Sequence, residues 1–410
     1  MLALIPYPFT DPKFSIDADS MRMVSRLICH QILQCQLERN GQAKSAKKAD
    51  QPPPKFLNHR PTKAAVFGPY RGISRDLWKN WFGSSYGKTR KSLVHKGIIE
   101  TNKRYSPGKF SKSYRLGQHL WNCPLVFVNL PGQSKCSSID SNVAKSKSPY
   151  GNQYLCAESH LKKFHLPNWD VQTLNRLCDE HEQKKNKWGE LPWGDLQRYS
   201  IIAIQENRWW SKVDGNHRHH TPLTTLSSDF RKHLICGVFE EVDGWDFKNF
   251  QPTLLQFYRE TGITTQIPQS EHDQYFELCK SGNLYEFIAE KMGKKSRNDV
   301  KKPLLAMLNI ENERMVEMPI WRCLSQWFPI ICSIIFAIKQ DDHRNMAAFL
   351  QRKEAEIIYG HIVKKFMEYE KPFFTVHDSV ITTKNNCGLL REIFKEVREE
   401  RRIQTREDKA

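Results

Sequence analysis

Two apolar runs enclose a polar triplet near the end of the chain. Phe373–Val376 and Val380–Thr383 are rich in aromatic and β-branched residues, and His377, Asp378 and Ser379 lie between them. This pattern predicts two strands joined by a tight polar turn. Asp378 is therefore expected at the tip of a hairpin, where a lone aspartate most often serves only as a hydrogen-bonding turn residue.

A second strand-like run ends in a carboxylate about 130 residues earlier, at Asp246. The chain then turns into a helix, with Pro252 in its first turn. Carboxylates at the ends of two neighbouring strands can hold two Mg²⁺ ions, one activating a hydroxyl and one neutralising a leaving pyrophosphate. The pair Asp246 and Asp378, rather than either residue alone, indicates phosphoryl transfer.

Elsewhere in the chain, apolar residues either recur at helical spacing or are replaced by polar stretches. Apolar residues recur at helical spacing over 20–38, 168–187 and 346–369, which predicts amphipathic helices. Residues 39–61 are rich in Lys, Gln, Ser and Pro and predict a basic flexible linker, and residues 129–154 predict a second loop or linker.

A compact basic unit is predicted between these segments. Ser74 caps one helix, a second begins at Ser84 or Ser85 and stops at Gly97, and two strands with a turn at 106–108 follow. This order resembles a winged helix-turn-helix, whose second helix enters the major groove and whose hairpin touches phosphates. The alternative is a solvated basic helix that contacts only its own domain. The cations of this unit are Lys88, Arg90, Lys91, Lys96, Lys103, Arg104, Lys109, Lys112 and Arg115.

The composition limits the classes of molecule that the protein is expected to bind. The 410 residues carry a net charge of +18, which favours a polyanion such as nucleic acid. The chain lacks a run of about 18 apolar residues and a basic secretory leader, so no membrane partner and an intracellular, cytoplasmic location are expected. Eleven cysteines without a C-x-x-C pair argue against a disulfide framework and a zinc ribbon.

Across roughly residues 200 to 400, the order of motifs resembles the family A DNA polymerases and the related phage-type single-subunit RNA polymerases. Asp246–Gln251 resembles the first palm motif, whose aspartate binds both metal ions. Arg297 and Lys301 resemble the Arg-x-x-x-Lys of the fingers helix that grips the incoming triphosphate. Gln351 lies where the family has a glutamine-bearing helix, and Val376–Asp378 resembles the last palm motif.

The resemblance implies roles for individual residues. Asp246 and Asp378 would hold two Mg²⁺ ions, or Mn²⁺ in their place, and Lys301 and His377 would complete the catalytic set. His377 either hydrogen-bonds the primer end or orients Asp378, and the sequence leaves both open. The implied nucleotide-binding residues are Arg297, Lys301, Gln251 and Asn249, and the implied nucleic-acid-binding residues are Arg218, Arg231, Gln351, Lys88, Arg90, Lys91, Lys112 and Arg115.

Three positions depart from the family pattern. Pro303 follows Lys301 by two residues, so the fingers helix is expected either to start late or to be kinked. Asn309 stands where an aromatic stacking residue is expected. Gln251 replaces the glutamate that borders the sugar, so the preference for deoxy- or ribonucleotides is not readable.

The sequence thus predicts an α+β protein. The expected parts are an N-terminal helix and basic linker (1–60), a winged-helix-like domain (61–120), a linker and helical thumb-like region (121–198), and a right-hand palm with helical fingers (199–410). By resemblance, the expected activity is a DNA-directed DNA polymerase that extends a primer on template DNA, or on RNA, in the replication of a phage or mobile element. The alternatives are an RNA polymerase or primase on the same fold, and a non-catalytic replication initiator.

Overall fold

The computed structural model describes residues 2–10, 16–45, 63–82, 86–102, 111–131, 140–141, 143–184, 193–294, 296–403 and 407–409. It mixes helices with several small sheets, in agreement with the predicted α+β class. None of the helices in these ranges has both the length and the apolar character needed to cross a membrane.

The described strands are β1 (Leu2–Pro6), β2 (Arg71–Gly72), β3 (Ile99–Thr101), β4 (Ser113–Leu116), β5 (Leu125–Asn129), β6 (Asp140–Ser141), β7 (Phe164–His165), β8 (Trp210–Val213), β9 (His219–His220), β10 (Ile235–Cys236), β11 (Glu240–Phe247), β12 (Phe373–Val376), β13 (Ser379–Thr383) and β14 (Glu407–Lys409).

The described α-helices are α1 (Ala18–Ser45), α2 (Lys63–Phe67), α3 (Arg75–Phe82), α4 (Tyr86–His95), α5 (Gly151–His160), α6 (Val171–Gln183), α7 (Gly194–Gln205), α8 (Pro222–Thr225), α9 (Ser228–Arg231), α10 (Phe250–Thr253), α11 (Gln269–Ser281), α12 (Leu284–Lys291), α13 (Asn298–Asn309), α14 (Asn312–Met315), α15 (Pro319–Trp327), α16 (Pro329–Ile338), α17 (Arg344–Ala355), α18 (Lys364–Met367) and α19 (Cys387–Glu400). A π-helical segment, Glu356–Val363, joins α17 to α18.

The chain divides into two compact units that interleave along the sequence. The first unit comprises Met1–Asp140, His165–Trp210 and Thr221–Leu234. The second comprises Ser141–Phe164, Ser211–His220 and Ile235–Ala410. This division differs from the boundaries expected at residues 60, 120 and 198, because contiguous segments were assumed at the sequence level.

The first unit contains the predicted basic elements. Helices α3 and α4 are followed by β3 and β4, and β2 completes a three-stranded sheet in the order β2-β4-β3. Trp78 of α3 is buried, and α4 ends before Gly97, whose φ of 68° is the left-handed conformation that glycine adopts without strain. The predicted helices and the two flanking strands are therefore present, whereas the turn at 106–108 and the caps Ser84 and Ser85 lie outside the described residues.

One expectation for the first unit was partly wrong. Helix α1 continues to Ser45, so the first part of the predicted linker 39–61 is helical. Residues 46–62 lie outside the described ranges. The N-terminal residues form β1, which pairs antiparallel with β5 over five residues. Short apolar strands such as β1 carry too little periodicity to be distinguished from a loop or a helical turn.

The second unit is built on one sheet whose strands differ in length, and helices pack against it. Its strands run in the order β12-β13-β11-β10-β7. Strand β14 pairs with the C-terminal end of β11, residues 245–247. The expected loop over 129–154 was partly wrong, because α5 begins at Gly151. Phe247 of β11 packs against Phe250 and Phe394, with ring centroids 4.9 Å apart in each pair, so the sheet and α19 share one core.

Helix α13 resolves the question raised by Pro303. The helix begins at Asn298 with Arg297 at its N-cap position, and Pro303 lies inside it. The late start was therefore wrong: Lys301 is in the first turn, and its backbone N–H donates to the Arg297 carbonyl at 3.0 Å.

Candidate active site

Asp246 and Asp378 lie at the same end of two adjacent strands. Strands β11 and β13 are antiparallel, and Trp245 lies directly opposite Val380. Asp246 is the next residue along β11, and Asp378 precedes β13 by one residue. Opposed residues of an antiparallel pair have Cα atoms about 4.5–5.5 Å apart, so the register brings the two carboxylate-bearing residues into the same neighbourhood.

The hairpin turn has the sharp geometry that the sequence predicts. Val376 pairs with Ser379, so only His377 and Asp378 form the turn. His377 has a φ of 56°, in the left-handed region that non-glycine residues seldom adopt. Its side chain is exposed, whereas that of Asp378 is half-buried. A strained, over-determined backbone at such a point is a frequent property of functional sites.

A histidine and aspartate pair lies beside this turn. The ring of His220 approaches that of His377 edge-on, with centroids 6.3 Å apart. His220 Nε2 lies 3.2 Å from Asp214 Oδ2. Burial acts to raise the pKa of Asp214, but hydrogen bonding and charge from His220 outweigh it and lower that pKa to about 2. Asp214 is therefore ionised and holds the His220 ring in place.

The charge environment of Asp378 involves two further segments of the chain. Burial raises the pKa of Asp378, and the positive charges of Arg218 and Lys301 act in the opposite direction. Charges influence a carboxyl pKa strongly only within several ångströms. Lys301 at the start of α13 and Arg218 before β9 are the two cations whose charge acts on this carboxyl.

Glu354 is a site residue that the sequence did not identify. Its carboxyl is 2% exposed, and both its oxygens accept from Nη2 of Arg218, at 2.9 and 3.0 Å. Gln251 Nε2 donates to Oε2 of Glu354 at 3.5 Å. Burial raises the pKa of Glu354, Arg218 lowers it and Asp378 raises it further. One signal was available: Met346, Leu350 and Glu354 recur every four residues on the buried side of α17.

Arg297, the arginine expected in the fingers helix, contacts two polar side chains. Arg297 Nη2 donates to Asn249 Oδ1 at 3.3 Å, and Arg297 Nε lies 3.4 Å from Glu286 Oε1. The guanidinium also lies over the Tyr285 ring, 5.1 Å from its centroid. Burial raises the pKa of Tyr285, Arg297 lowers it, and the negative charge of Asp378 raises it.

The residues expected to contact a nucleic-acid duplex are engaged within the protein. Arg218 is paired with Glu354, and Gln351 Oε1 accepts from Asn216 at 2.7 Å. Arg231 belongs to the first unit, where it donates to the Leu226 carbonyl and where burial lowers its pKa. These contacts account for the three side chains without any nucleic acid.

Some basic residues of the first unit are exposed, and others contact side chains of the same unit. Lys88, Lys91 and Lys112 are exposed. Arg90 stacks on Tyr86 and Tyr114, with its guanidinium carbon 5.3 and 5.7 Å from the ring centroids. Arg115 pairs with Glu100 at 2.7 Å and lies 4.3 Å from the centroid of Tyr70. The remaining cations Lys103, Arg104 and Lys109 lie outside the described residues.

The donor set fits hard divalent cations. Magnesium prefers carboxylate oxygens, usually takes one or two from the protein, and completes its octahedron with water and substrate phosphates. Asp246 and Asp378 supply that number, and burial of the Asp378 carboxyl without a full counter-charge is relieved by a bound cation. Within the described residues no group of three or more His, Cys, Asp or Glu side chains forms a self-sufficient metal cage.

Comparisons with known proteins give short or distant similarities. No family model matches the chain. A segment is 33% identical over 85 residues to the F-box protein PP2-A12 of Arabidopsis thaliana, covering 18% of this chain and 28% of that protein. F-box protein PP2-A15 of the same plant is 32% identical over 76 residues, covering 16% and 25%. The chain thus spans about a quarter of the length of these curated relatives.

Among solved structures, the chain resembles the POL domain of Pol1 from M. smegmatis in complex with DNA primer-template and dNTP. The TM-score is 0.37 and the identity 10%, with 96% of this chain and 68% of that chain covered. A score this low does not establish a shared fold, so any functional interpretation has to rest on the residues of this chain.

Proposed function

We propose that the chain is a template-directed nucleotidyltransferase, most simply a DNA-directed DNA polymerase that extends a primer. The observation that carries this proposal is the register of β11 and β13, which puts Asp246 and Asp378 at adjacent strand ends. The positive charges of Arg218 and Lys301 lower the pKa of Asp378 against the effect of burial. Paired carboxylates next to cations suit a substrate that is both metal-bound and polyanionic.

Each side chain then has a chemical task. Asp246 and Asp378 would hold two Mg²⁺ ions, and the chemistry that such ions would supply is activation of the primer hydroxyl and neutralisation of the leaving pyrophosphate. A triphosphate carries about four negative charges, and Arg297 can meet its oxygens with a planar fork while Lys301 acts as a point charge. Gln251, on the helix after Asp246, borders the position of the sugar.

Binding of the primer-template is assigned to distributed positive charge. Helix α4 follows α3, β3 and β4 come next in the chain, and β2, which precedes α3, completes the β2-β4-β3 sheet. This element order resembles that of a winged helix. Lys88 and Lys91 are exposed on α4 and can pair with phosphates. We assign this unit to recruitment of nucleic acid, in the replication of a phage or other mobile element.

A second candidate is an RNA polymerase or primase on the same site. Two observations favour it: Gln251 replaces the family's glutamate beside the sugar, and Ser379 rather than a third acid follows Asp378. Extension of one primer with deoxynucleotides alone, and then with ribonucleotides alone, separates the two. Incorporation of ribonucleotides only would exclude the DNA polymerase.

The proposal is tested by primer extension on a defined DNA template with Mg²⁺. Asp246→Asn and Asp378→Asn are each expected to lower the rate by several orders of magnitude, because removing a ligand charge disrupts the metal pair. Affinity for the primer-template should change little, since it depends on the distributed lysines and arginines.

Asp243→Asn is the matched control, because Asp243 lies on the same strand β11 and opposite Thr382. Its rate should stay close to that of the wild type. Equal rates for all four proteins, or no extension by the wild type with either nucleotide class, would overturn the proposal.

A further inference from the structure

An aromatic cluster of the second unit reaches the surface at Tyr150 and His217. The two rings meet edge-on with centroids 6.0 Å apart, and both residues are half-buried. Behind them, Tyr154 and Tyr359 are buried, with ring centroids 4.5 Å apart. The two inner rings therefore support the two outer rings, which are partly open to solvent.

Tyr150 lies against the π-helical segment that follows α17. A Cβ added at Gly360 would lie 3.2 Å from Tyr150 Cε1, closer than ordinary van der Waals contact, so a side chain there would displace the ring. The Tyr150 ring plane is only 20° from that of Tyr359, which belongs to the same segment. A ring that is already held in place loses little entropy when a ligand binds to it.

The position of His217 is fixed through its backbone. The His217 N–H donates to the Asp214 carbonyl at 3.2 Å, and the His217 carbonyl accepts from Tyr154 Oη at 2.7 Å. These bonds hold a φ of 66°, in the left-handed region that a histidine seldom adopts. Such conformations persist where the surrounding structure determines them, and they are frequent at binding sites.

Two exposed cations accompany the two rings. Asn216 Nδ2 donates to Gln351 Oε1 at 2.7 Å, which joins the residue before His217 to the residue before Arg352. Arg352 is exposed, and so is Lys147, three residues before Tyr150. Neither cation forms an ion pair with a residue that the structure describes. Positive charge without an acidic partner attracts a polyanion.

The segment that carries His217 also reaches the candidate active site. The His220 ring lies 6.3 Å from that of His377 in the hairpin turn. Arg218 donates to Glu354, which also accepts from Gln251 on the helix after Asp246. Helix α13 contains no aromatic residue, so a base beside the site has to find a stacking partner on another element.

We propose that Tyr150 and His217 form a stacking platform for an unpaired base of a nucleic-acid strand, and that Arg352 and Lys147 bind the adjacent phosphates. Flat aromatic rings next to unpaired cations match a single strand, in which every nucleotide offers a π-face and a phosphate. The inference rests on the proposed function, because it takes the partner to be the strand on which the candidate site acts.

The test is binding of the full chain to a single-stranded thymidine oligonucleotide that contains one 2-aminopurine. Tyr150→Leu keeps an apolar side chain but removes the π-face, so the Kd measured by fluorescence anisotropy should rise roughly tenfold. Tyr150→Phe keeps the ring and should bind within about twofold of the wild type. The fluorescence of 2-aminopurine should be quenched by the wild type and by Tyr150→Phe, and much less by Tyr150→Leu.

The salt dependence separates stacking from charge. Arg352→Gln should lower the slope of log K against log salt by about 0.7, the value for one phosphate contact on a single strand. Tyr150→Leu should leave the slope unchanged, because the tyrosine is uncharged. Tyr369→Leu is the matched control, since Tyr369 is an exposed tyrosine of the same unit, and its Kd should equal that of the wild type. Circular dichroism confirms that each variant is folded.

Three results would overturn the inference. Equal affinity and equal quenching for Tyr150→Leu and the wild type would show that no base stacks there. A Tyr150→Phe variant as weak as Tyr150→Leu would assign the effect to the hydroxyl group. Self-association that is lost in Tyr150→Leu without DNA, measured by sedimentation velocity, would assign the surface to a second copy of the chain.

Primer extension by the wild type, measured in parallel, tests the proposed function separately. Extension together with an unchanged Kd for Tyr150→Leu would overturn this inference alone. Absence of extension would overturn the proposed function, whereas a tenfold weaker Kd for Tyr150→Leu would still support strand binding at Tyr150.

Discussion

Arg297 Nη2 donates to Asn249 Oδ1 at 3.3 Å, which joins the start of α13 to the turn that follows β11. Asn249 is the N-cap residue of α10 and adopts a φ of 53°, in the left-handed region. The contact links the two segments that the sequence assigns to metal binding and to the triphosphate.

Replacing Arg297 tests whether this position binds the triphosphate. Arg297→Ala is expected to raise KM for the nucleotide roughly tenfold or more, because a charge-assisted, forked interaction is lost. Arg297→Lys should recover little of it, since a lysine neither forks nor lies flat on Tyr285 as the guanidinium does. Steady-state extension kinetics provide the measurement.

Arg322→Ala is the control for that experiment, because Arg322 is an exposed arginine on the neighbouring helix α15. Its KM should be unchanged. A KM for Arg297→Ala within twofold of the wild type would remove Arg297 from the nucleotide site.

The glutamine at position 251 is explained by its partner. Gln251 donates to the buried Glu354, and a glutamate there would put two carboxylates about one hydrogen-bond length apart. Gln251→Glu is therefore expected to lower the free energy of unfolding by about 1–3 kcal/mol at neutral pH, with the loss shrinking as the pH falls. Urea denaturation at two pH values measures this.

Gln274→Glu, at an exposed position on α11, is the matched control and should be nearly neutral. Equal stabilities of Gln251→Glu and the wild type would mean that the hydrogen bond to Glu354 contributes nothing to the fold.

The exposed lysines of α4 are expected to determine how salt weakens nucleic-acid binding. Lys88→Ala and Lys91→Ala should each lower affinity across all sequences and reduce the slope of log K against log salt by about 1. Fluorescence anisotropy at several salt concentrations gives the slope.

Arg115→Ala tests the opposite situation in the same unit. Arg115 is already paired with Glu100, so its removal should lower the midpoint of thermal unfolding while changing the salt slope less than either lysine does. Slopes that do not change in the two lysine variants would assign α4 to the solvated basic helix that was the alternative.

A buried lysine gives a prediction about pH. Lys339 is 2% exposed, and its Nζ donates to the Met307 carbonyl at 2.8 Å, near the end of α13. Burial lowers its pKa from 10.5 to about 8. Between these values the unfolded chain binds the extra proton, so wild-type stability should rise with pH relative to Lys339→Met.

The measurement is the difference in unfolding free energy between wild type and Lys339→Met from pH 7 to pH 11. Lys294→Met, at an exposed position, reports the effect of removing a lysine as such. A difference that stays flat between pH 8 and 10.5 would mean that burial does not lower the pKa of Lys339 in the folded protein.

The parts of the fold that the sequence predicted are those with strong local signals. The hairpin β12–β13 has β-branched runs around a polar turn, and the strand carrying Asp246 includes the apolar residues Val242, Trp245 and Phe247, so both follow from local pattern alone. The pairing of these strands in one sheet was expected only because two carboxylates that bind the same metal ions must be neighbours. No local sequence pattern predicts this pairing.

The parts that failed depend on contacts between distant segments. Glu354 is acidic on the buried side of α17, and only the presence of Arg218, 136 residues away, makes its burial favourable. The interleaved units likewise could not be inferred, because sequence boundaries assume that each domain is one continuous segment.

The central claim is that Asp246 and Asp378 share two divalent cations beside a bound triphosphate. Electron paramagnetic resonance of the wild type with Mn²⁺ and a deoxynucleoside triphosphate, without primer, tests it most directly. Two ions about 4 Å apart should give a spin-coupled signal with two Mn²⁺ per chain, and either Asp→Asn variant should abolish the coupling. A wild-type spectrum of isolated Mn²⁺, or a coupled signal that survives both substitutions, would contradict the claim.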